Sequence, residues 1–348
     1  MTLFCLMIII FGDKNKKMKL TGFCIALGLL VMGCSNTTVK TNEASTTKGY
    51  QKLSPDFDAD SAYQYVDQQV AFGPRVPNTK EHVACGDYLV GTLKSFGAKV
   101  QEQKMVVTAF DGTKLNARNI IGVYGEDKSK RVLLFAHWDS RPFADADPDK
   151  SRRNEPILGA NDGASGVGVL LEVARQLSKQ EPEIGVDIIF FDAEDYGDPV
   201  FAKNVPSGEW WCLGSQYWAK NPHVKDYKAN YGILLDMVGA KDATFFREYY
   251  SKHYGENVLE KVWSTARQLG YSKYFIGKDG GGVTDDHLYV NRGRNIPSID
   301  IIHLDENRDF TFGEFWHTHK DDMSVIDKET LKAVGQTVLE VIYKEKGN

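Results

Sequence analysis

Short, almost wholly apolar runs at residues 132–136 and 186–191 constrain this chain more than anything else in it. Each is too short for a helix, and residues 132–136 lack the polar alternation of a half-exposed strand. They read as strands covered on both faces, which parallel sheets require. Between them Val167, Leu170, Leu171, Ala174 and Leu177 fall at helical spacing on one face. Further strands are predicted at residues 99–107, 119–124, 231–235 and 296–302. Helices are predicted at 60–70, 80–96, 213–219, 257–269 and 328–343. The alternation implies an α/β fold, a mostly parallel mixed central sheet with helices on both faces. No internal repeat is evident.

The acidic residues and histidines follow this frame. His137 and Asp139 come directly after the 132–136 strand, and Glu194 and Asp195 follow the 186–191 strand. Asp236 closes the 231–235 strand, Asp162 opens a helix, and His317 precedes the last helix. In an open parallel sheet, residues just past the carboxyl ends of strands gather in one crevice. Imidazole and carboxylate are the usual ligands of a catalytic zinc, and a carboxylate beside them can carry protons. Taken singly, each residue has a plain structural reading. Asp162 could cap a helix, His137 could be a satisfied core histidine, Glu194-Asp195 could be a solvated loop, and Asp236 could serve a turn. Their joint placement points to a metal-dependent site.

The net charge of −5 argues against a nucleic-acid partner, which needs a basic face. Lys14, Lys16, Lys17 and Lys19 precede an apolar run at residues 20–32, which ends at Gly33-Cys34. This predicts a lipoprotein-type signal over residues 1–34, with Met1 or Met18 as the start. Cys34 would carry lipid, anchoring an exported, periplasm-facing protein to the membrane. A plain cleaved signal or a short anchor is the alternative. Residues 35–55, rich in Ser and Thr at the start, read as a flexible tether to one catalytic domain over 56–348. Cys85 and Cys212 are then the domain's cysteines, expected as buried free thiols.

His137-Trp138-Asp139-Ser140, Gly159-Ala160-Asn161-Asp162, Phe190-Phe191-Asp192-Ala193-Glu194-Asp195, Leu234-Leu235-Asp236-Met237-Val238-Gly239 and Trp316-His317-Thr318 occur in telling order and spacing. From about residue 60 onward the chain resembles zinc aminopeptidase-like enzymes. Asp285-Asp286-His287, with Arg292-Gly293 and the Trp316 triplet, makes it most similar to glutaminyl-peptide cyclotransferases. That resemblance implies zinc held by Asp162, Asp195 and His317, as one ion with a second left open, and Glu194 as general acid/base. It also implies supporting carboxylates at Asp236 and Asp285, and Trp316 in the substrate wall. Trp210 and Trp211 either join that wall or pack as a loop. His137 stands where the aminopeptidase relatives hold a second metal. Three departures from the animal enzymes are visible: Asp195 in place of Glu, Asp300 in place of His, and Ala136 in place of a half-cystine. The implied substrates are peptides or proteins with an N-terminal glutamine. A zinc aminopeptidase is the rival reading, and a peptide-binding lipoprotein without catalysis is a further one.

Overall fold

The computed structural model describes residues 49–308 and 311–347; the expected signal, Cys34 and most of the expected tether lie outside them. Among the described residues, no helix is long and apolar enough to cross a membrane. The described residues form eight strands and seven α-helices: α1 Ala59–Val70, α2 Lys80–Ser95, β1 Lys99–Thr108, β2 Lys114–Tyr124, β3 Arg131–His137, α3 Ala164–Lys179, β4 Gly185–Phe191, α4 Leu213–Lys220, β5 Tyr231–Asp236, β6 Phe245–Arg247, α5 Tyr249–Gln268, β7 Phe275–Asp279, α6 Asp286–Arg294, β8 Ser298–Ile302 and α7 Lys328–Lys344.

Six strands form one sheet in the order β1-β2-β4-β3-β5-β8. The β4-β3-β5-β8 core is parallel, and β1 and β2 add an antiparallel edge, so the sheet is mixed as expected. β6 and β7 make a separate parallel pair. Strand periodicity sorts the side chains by face. Val132, Leu134, Ala136, Ile188 and Leu235 join α1, α3, α5 and α7 in the larger core. Leu133, Phe135, Ile189 and Phe191 face Trp218 of α4 and Val290 of α6 in the smaller one. Both faces are covered, which is why the β3 and β4 sequences contain so little polar alternation.

Several differences from the sequence expectation have local causes. β8 begins at Ser298, because Pro297 has no N–H to donate to a ladder. α5 starts at Tyr249, where the Glu248 carboxylate caps it by accepting from the N–H groups of Tyr250 and Ser251. A non-helical Gly255 (φ −137°, ψ 36°) breaks its first turns from the rest, which hid them from a periodicity reading. α6, β6 and β7 carried no pattern of their own. The packed chain begins before residue 56: the Leu53 and Ser54 N–H groups donate to Glu340 of α7 at 3.1 and 2.9 Å. Cys85 and Cys212 are buried free thiols, as predicted.

α3 crosses the sheet at close range through Gly166. A Cβ there would sit 2.1 Å from the Leu235 carbonyl oxygen of β5 and 3.0 Å from the Ala136 Cβ of β3. Backbone cannot yield as a flexible side chain does, so the strands and helix would have to part. Gly166→Ala is expected to cost about 3 kcal/mol or more, read as a Tm lower by several degrees in thermal unfolding. An unchanged Tm would show that this contact is not tight.

Candidate active site and metal centre

β3 has β4 on one side and β5 on the other, so the chain reverses direction across the sheet there. Such a switch point opens a crevice at the carboxyl ends of the strands. His137 ends β3, Glu194 and Asp195 follow β4, and Asp236 ends β5. All are buried.

The ligand-bearing turns are held from behind. Gly163 (φ +95°) is the residue before α3 and no side chain caps that helix, so Asp162 is not an N-cap. Its loop is fixed instead by Asp321, whose carboxylate accepts from the Asn161 and Asp162 N–H groups at 2.7 and 3.0 Å. Asp139 accepts from the N–H groups of Glu194 and Asp195 at 3.1 and 3.2 Å, tying the β3 loop to the β4 loop. Ala193, Cys212, Met237 and His317 all adopt left-handed φ between 49° and 58°. Non-glycine residues rarely do so, and such strain gathers at functional sites.

Two carboxylate–histidine groups result, sharing Asp162. In one, His317 Nε2 lies 3.4 Å from Asp195 Oδ1 and 3.7 Å from Asp162 Oδ2. In the other, His137 Nε2 lies 3.0 Å from Asp162 Oδ1 and 3.2 Å from Asp236 Oδ1. Two ligands each about 2 Å from one tetrahedral zinc stand about 3.3 Å apart. The His317 group fits that spacing, and Asp195 Oδ2 is buried with no hydrogen-bond partner, an orphan that a cation would satisfy.

His317 is oriented by residues that no sequence pattern marked. Its Nδ1 faces Asp145 Oδ1 at 3.1 Å, which leaves Nε2 turned to Asp195 and Asp162. Arg141, fully buried, clamps Asp145 through two 2.8 Å bonds and also donates to the Asp195 backbone oxygen at 3.0 Å. One guanidinium therefore braces two of the three candidate ligands. Trp316 stacks on the His317 ring at 3.7 Å between centroids, and Trp211 lies parallel to that ring at 6.1 Å. Trp211 also sits under the Arg141 guanidinium at 4.6 Å. Trp210 instead donates from its indole to Pro206 of its own loop. Of the two tryptophans left open by the sequence, Trp211 lies with Trp316 against His317, and Trp210 packs within its own loop.

Glu194 belongs to neither carboxylate–histidine group. One of its oxygens meets Cys212 Sγ and an Asp285 oxygen, all three within 4.8 Å of one another. Burial, with Asp285 and Asp195 nearby and only His137 opposing, pushes Glu194 well above the usual carboxylate range. Burial likewise raises Asp285 to about 7, and Asp236 to about 6. A carboxyl held near neutrality can both take and give a proton at working pH. Behind Asp285, His287 stands between Glu248 (3.3 Å) and Asp300 (3.9 Å). Asp300 thus faces an imidazole.

The sequence description of peptidase family M28 matches residues 119–342, which carry every residue of both groups. The chain belongs to peptidase family M28.

Among solved structures of this fold, a glutaminyl cyclase from Bacteroides thetaiotaomicron, bound to N-acetylhistamine, is 59% identical with a TM-score of 0.83. The match covers 84% of this chain and 100% of that one. A Zn-dependent exopeptidase from Parabacteroides distasonis is 63% identical (TM-score 0.82), over 84% of this chain and 99% of that one. Among curated relatives, the bovine glutaminyl-peptide cyclotransferase is 28% identical over 259 residues, 65% of this chain. The match likewise spans 65% of the bovine protein's length. Zinc suits the M28 chain's donor set, two carboxylates and an imidazole with no thiolate among them.

Proposed function

We propose that this chain is a glutaminyl-peptide cyclotransferase, closing the N-terminal glutamine of peptides or proteins into pyroglutamate with release of ammonia. The observation that carries the reading is the 59% identity over the full length of a solved bacterial glutaminyl cyclase. The site supports it, because Glu194 is a buried carboxylate left free of both histidine groups, and two indoles lie stacked against the His317 ring.

The α-amine nitrogen attacks the side-chain carbonyl carbon, the C–N bond of the amide breaks, and NH₃ departs. Asp162, Asp195 and His317 would hold a zinc ion, which would supply Lewis acidity toward that carbonyl when bound. An α-amino group titrates near about 8, so a nucleophilic fraction is present at neutral pH. Glu194 takes the proton this nitrogen loses and returns it to the leaving amide nitrogen. Asp285, beside Glu194, favours its protonated form once the amine has attacked. Trp316 and Trp211 confine the glutamine side chain and shed water from it. Nucleophile and electrophile belong to one residue, so holding that residue folded is itself a large part of the rate.

We assign one zinc to the His317 group. The His137 group, whose 3.0 and 3.2 Å separations also suit two ligands of one ion, favours a second reading, a two-metal aminopeptidase. The test is to incubate the zinc-loaded protein with a glutamine-initiated and a leucine-initiated peptide and weigh the products. Loss of ammonia from the first alone is expected. Removal of the leading residue from either would replace the cyclase with the aminopeptidase.

A further inference from the structure

α4 begins with its first residues bolted to the segment that carries Glu194. The Cys212 N–H donates to the Glu194 carbonyl oxygen at 2.9 Å, and the Leu213 N–H donates to that of Ala193 at 3.0 Å. A Cβ on Gly214 would fall 2.2 Å from the Asp192 carbonyl oxygen, so no other residue lets the helix approach so closely. Cys212 itself is fully buried and left-handed (φ 58°, ψ 35°), a conformation that costs a residue with a Cβ roughly 1–3 kcal/mol. What that conformation achieves is visible at its side chain: Sγ reaches Glu194 Oε1 at 3.0 Å. For a contact involving sulfur this is short.

We propose that Cys212 is a positioning residue for Glu194, its thiol donating a hydrogen bond to Oε1 so that Oε2 is the oxygen left to exchange protons with substrate. A carboxylate turns readily about its last bond, and its two oxygens are equivalent until something distinguishes them. Engaging Oε1 removes that freedom before the substrate arrives, which is preorganisation in the ordinary sense. A thiol suits the place. It is a small, weakly polar donor that is cheap to bury, and the carboxylates of Glu194, Asp285 and Asp286 around it oppose loss of its proton. It therefore remains a donor instead of competing with Glu194 as a base or nucleophile.

The proposal rests on Glu194 being the acid/base, so its test has one arm that does not. Cys212→Ala keeps a Cβ at the left-handed position and adds no backbone strain. It is expected to lower kcat about 10-fold or more while KM stays within about twofold and zinc content is unchanged. Cys212→Ser, still a donor, is expected to recover most of the loss. The independent arm is infrared: the S–H stretch falls in a window otherwise free of protein absorption. Subtracting Cys212→Ser isolates this thiol's band, which is expected at low frequency in the parent protein and at higher frequency in Glu194→Ala. A kcat for Cys212→Ala within twofold of the parent would overturn the role. A band unmoved by Glu194→Ala would overturn the contact itself. Loss of the band on adding excess zinc would overturn it in favour of a thiolate metal site shared with Asp285. Should the glutamine peptide not be cyclised at all, the cyclase reading fails while the infrared arm still decides the contact.

Discussion

Glu194→Gln is expected to lower turnover of a glutamine-initiated peptide about 100- to 10,000-fold while the protein keeps its zinc. The amide is nearly isosteric and still accepts from the Cys212 thiol, so packing and the ligand turns should survive. What it cannot do is accept the amine's proton. Because neither carboxylate–histidine group includes Glu194, metal content separates this loss from loss of the cofactor. Substrate binding should change little, so the defect belongs in kcat and not in KM. Turnover within tenfold of the parent, with zinc retained, would remove Glu194 from the proton path and leave Asp285 as the carboxyl best placed to replace it.

Asp162→Ala is expected to abolish both zinc binding and activity, because Asp162 is the one residue common to the two groups. His137→Ala tells the two metal readings apart. With a single ion at Asp162, Asp195 and His317, the His137 variant should hold as much zinc per chain as the parent, measured by atomic emission after exhaustive dialysis. Turnover would then fall only modestly, through loss of the contacts at 3.0 and 3.2 Å that His137 makes to Asp162 and Asp236. A drop from two ions to one would establish a two-metal centre and reopen the aminopeptidase reading. Should Asp162→Ala still bind zinc tightly, the assignment of the centre to this crevice would be wrong.

Much of this was written locally in the chain. Strand patterns at β3, β4 and β5 were strong because both sheet faces are covered, so burial left them almost purely apolar. The residues at their carboxyl ends could then be placed in one crevice from chain order alone, since a parallel sheet must gather them there. Residues such as Arg141, Asp145, Asp321 and Cys212 were not legible in that way. Asp145 lies in a long polar segment with no periodicity, and Asp321 acts on a loop about 160 residues away in sequence. Neither type nor spacing distinguishes such a carboxylate from a solvated one. The partner that makes it functional is met only through the fold.

The same division separates the ligands from their arrangement. Sequence alone determined the fold class, the crevice and the histidines and carboxylates at its strand ends, because periodicity and strand ends are properties of the local chain. Only the tertiary structure decided how that set divides. It put Glu194 with Cys212 and Asp285, apart from both histidine groups, and it put Trp211 but not Trp210 beside His317. Those outcomes turn on separations of a few ångströms between side chains carried by different elements. Such separations are set when helices and sheet pack against one another, which no single segment encodes.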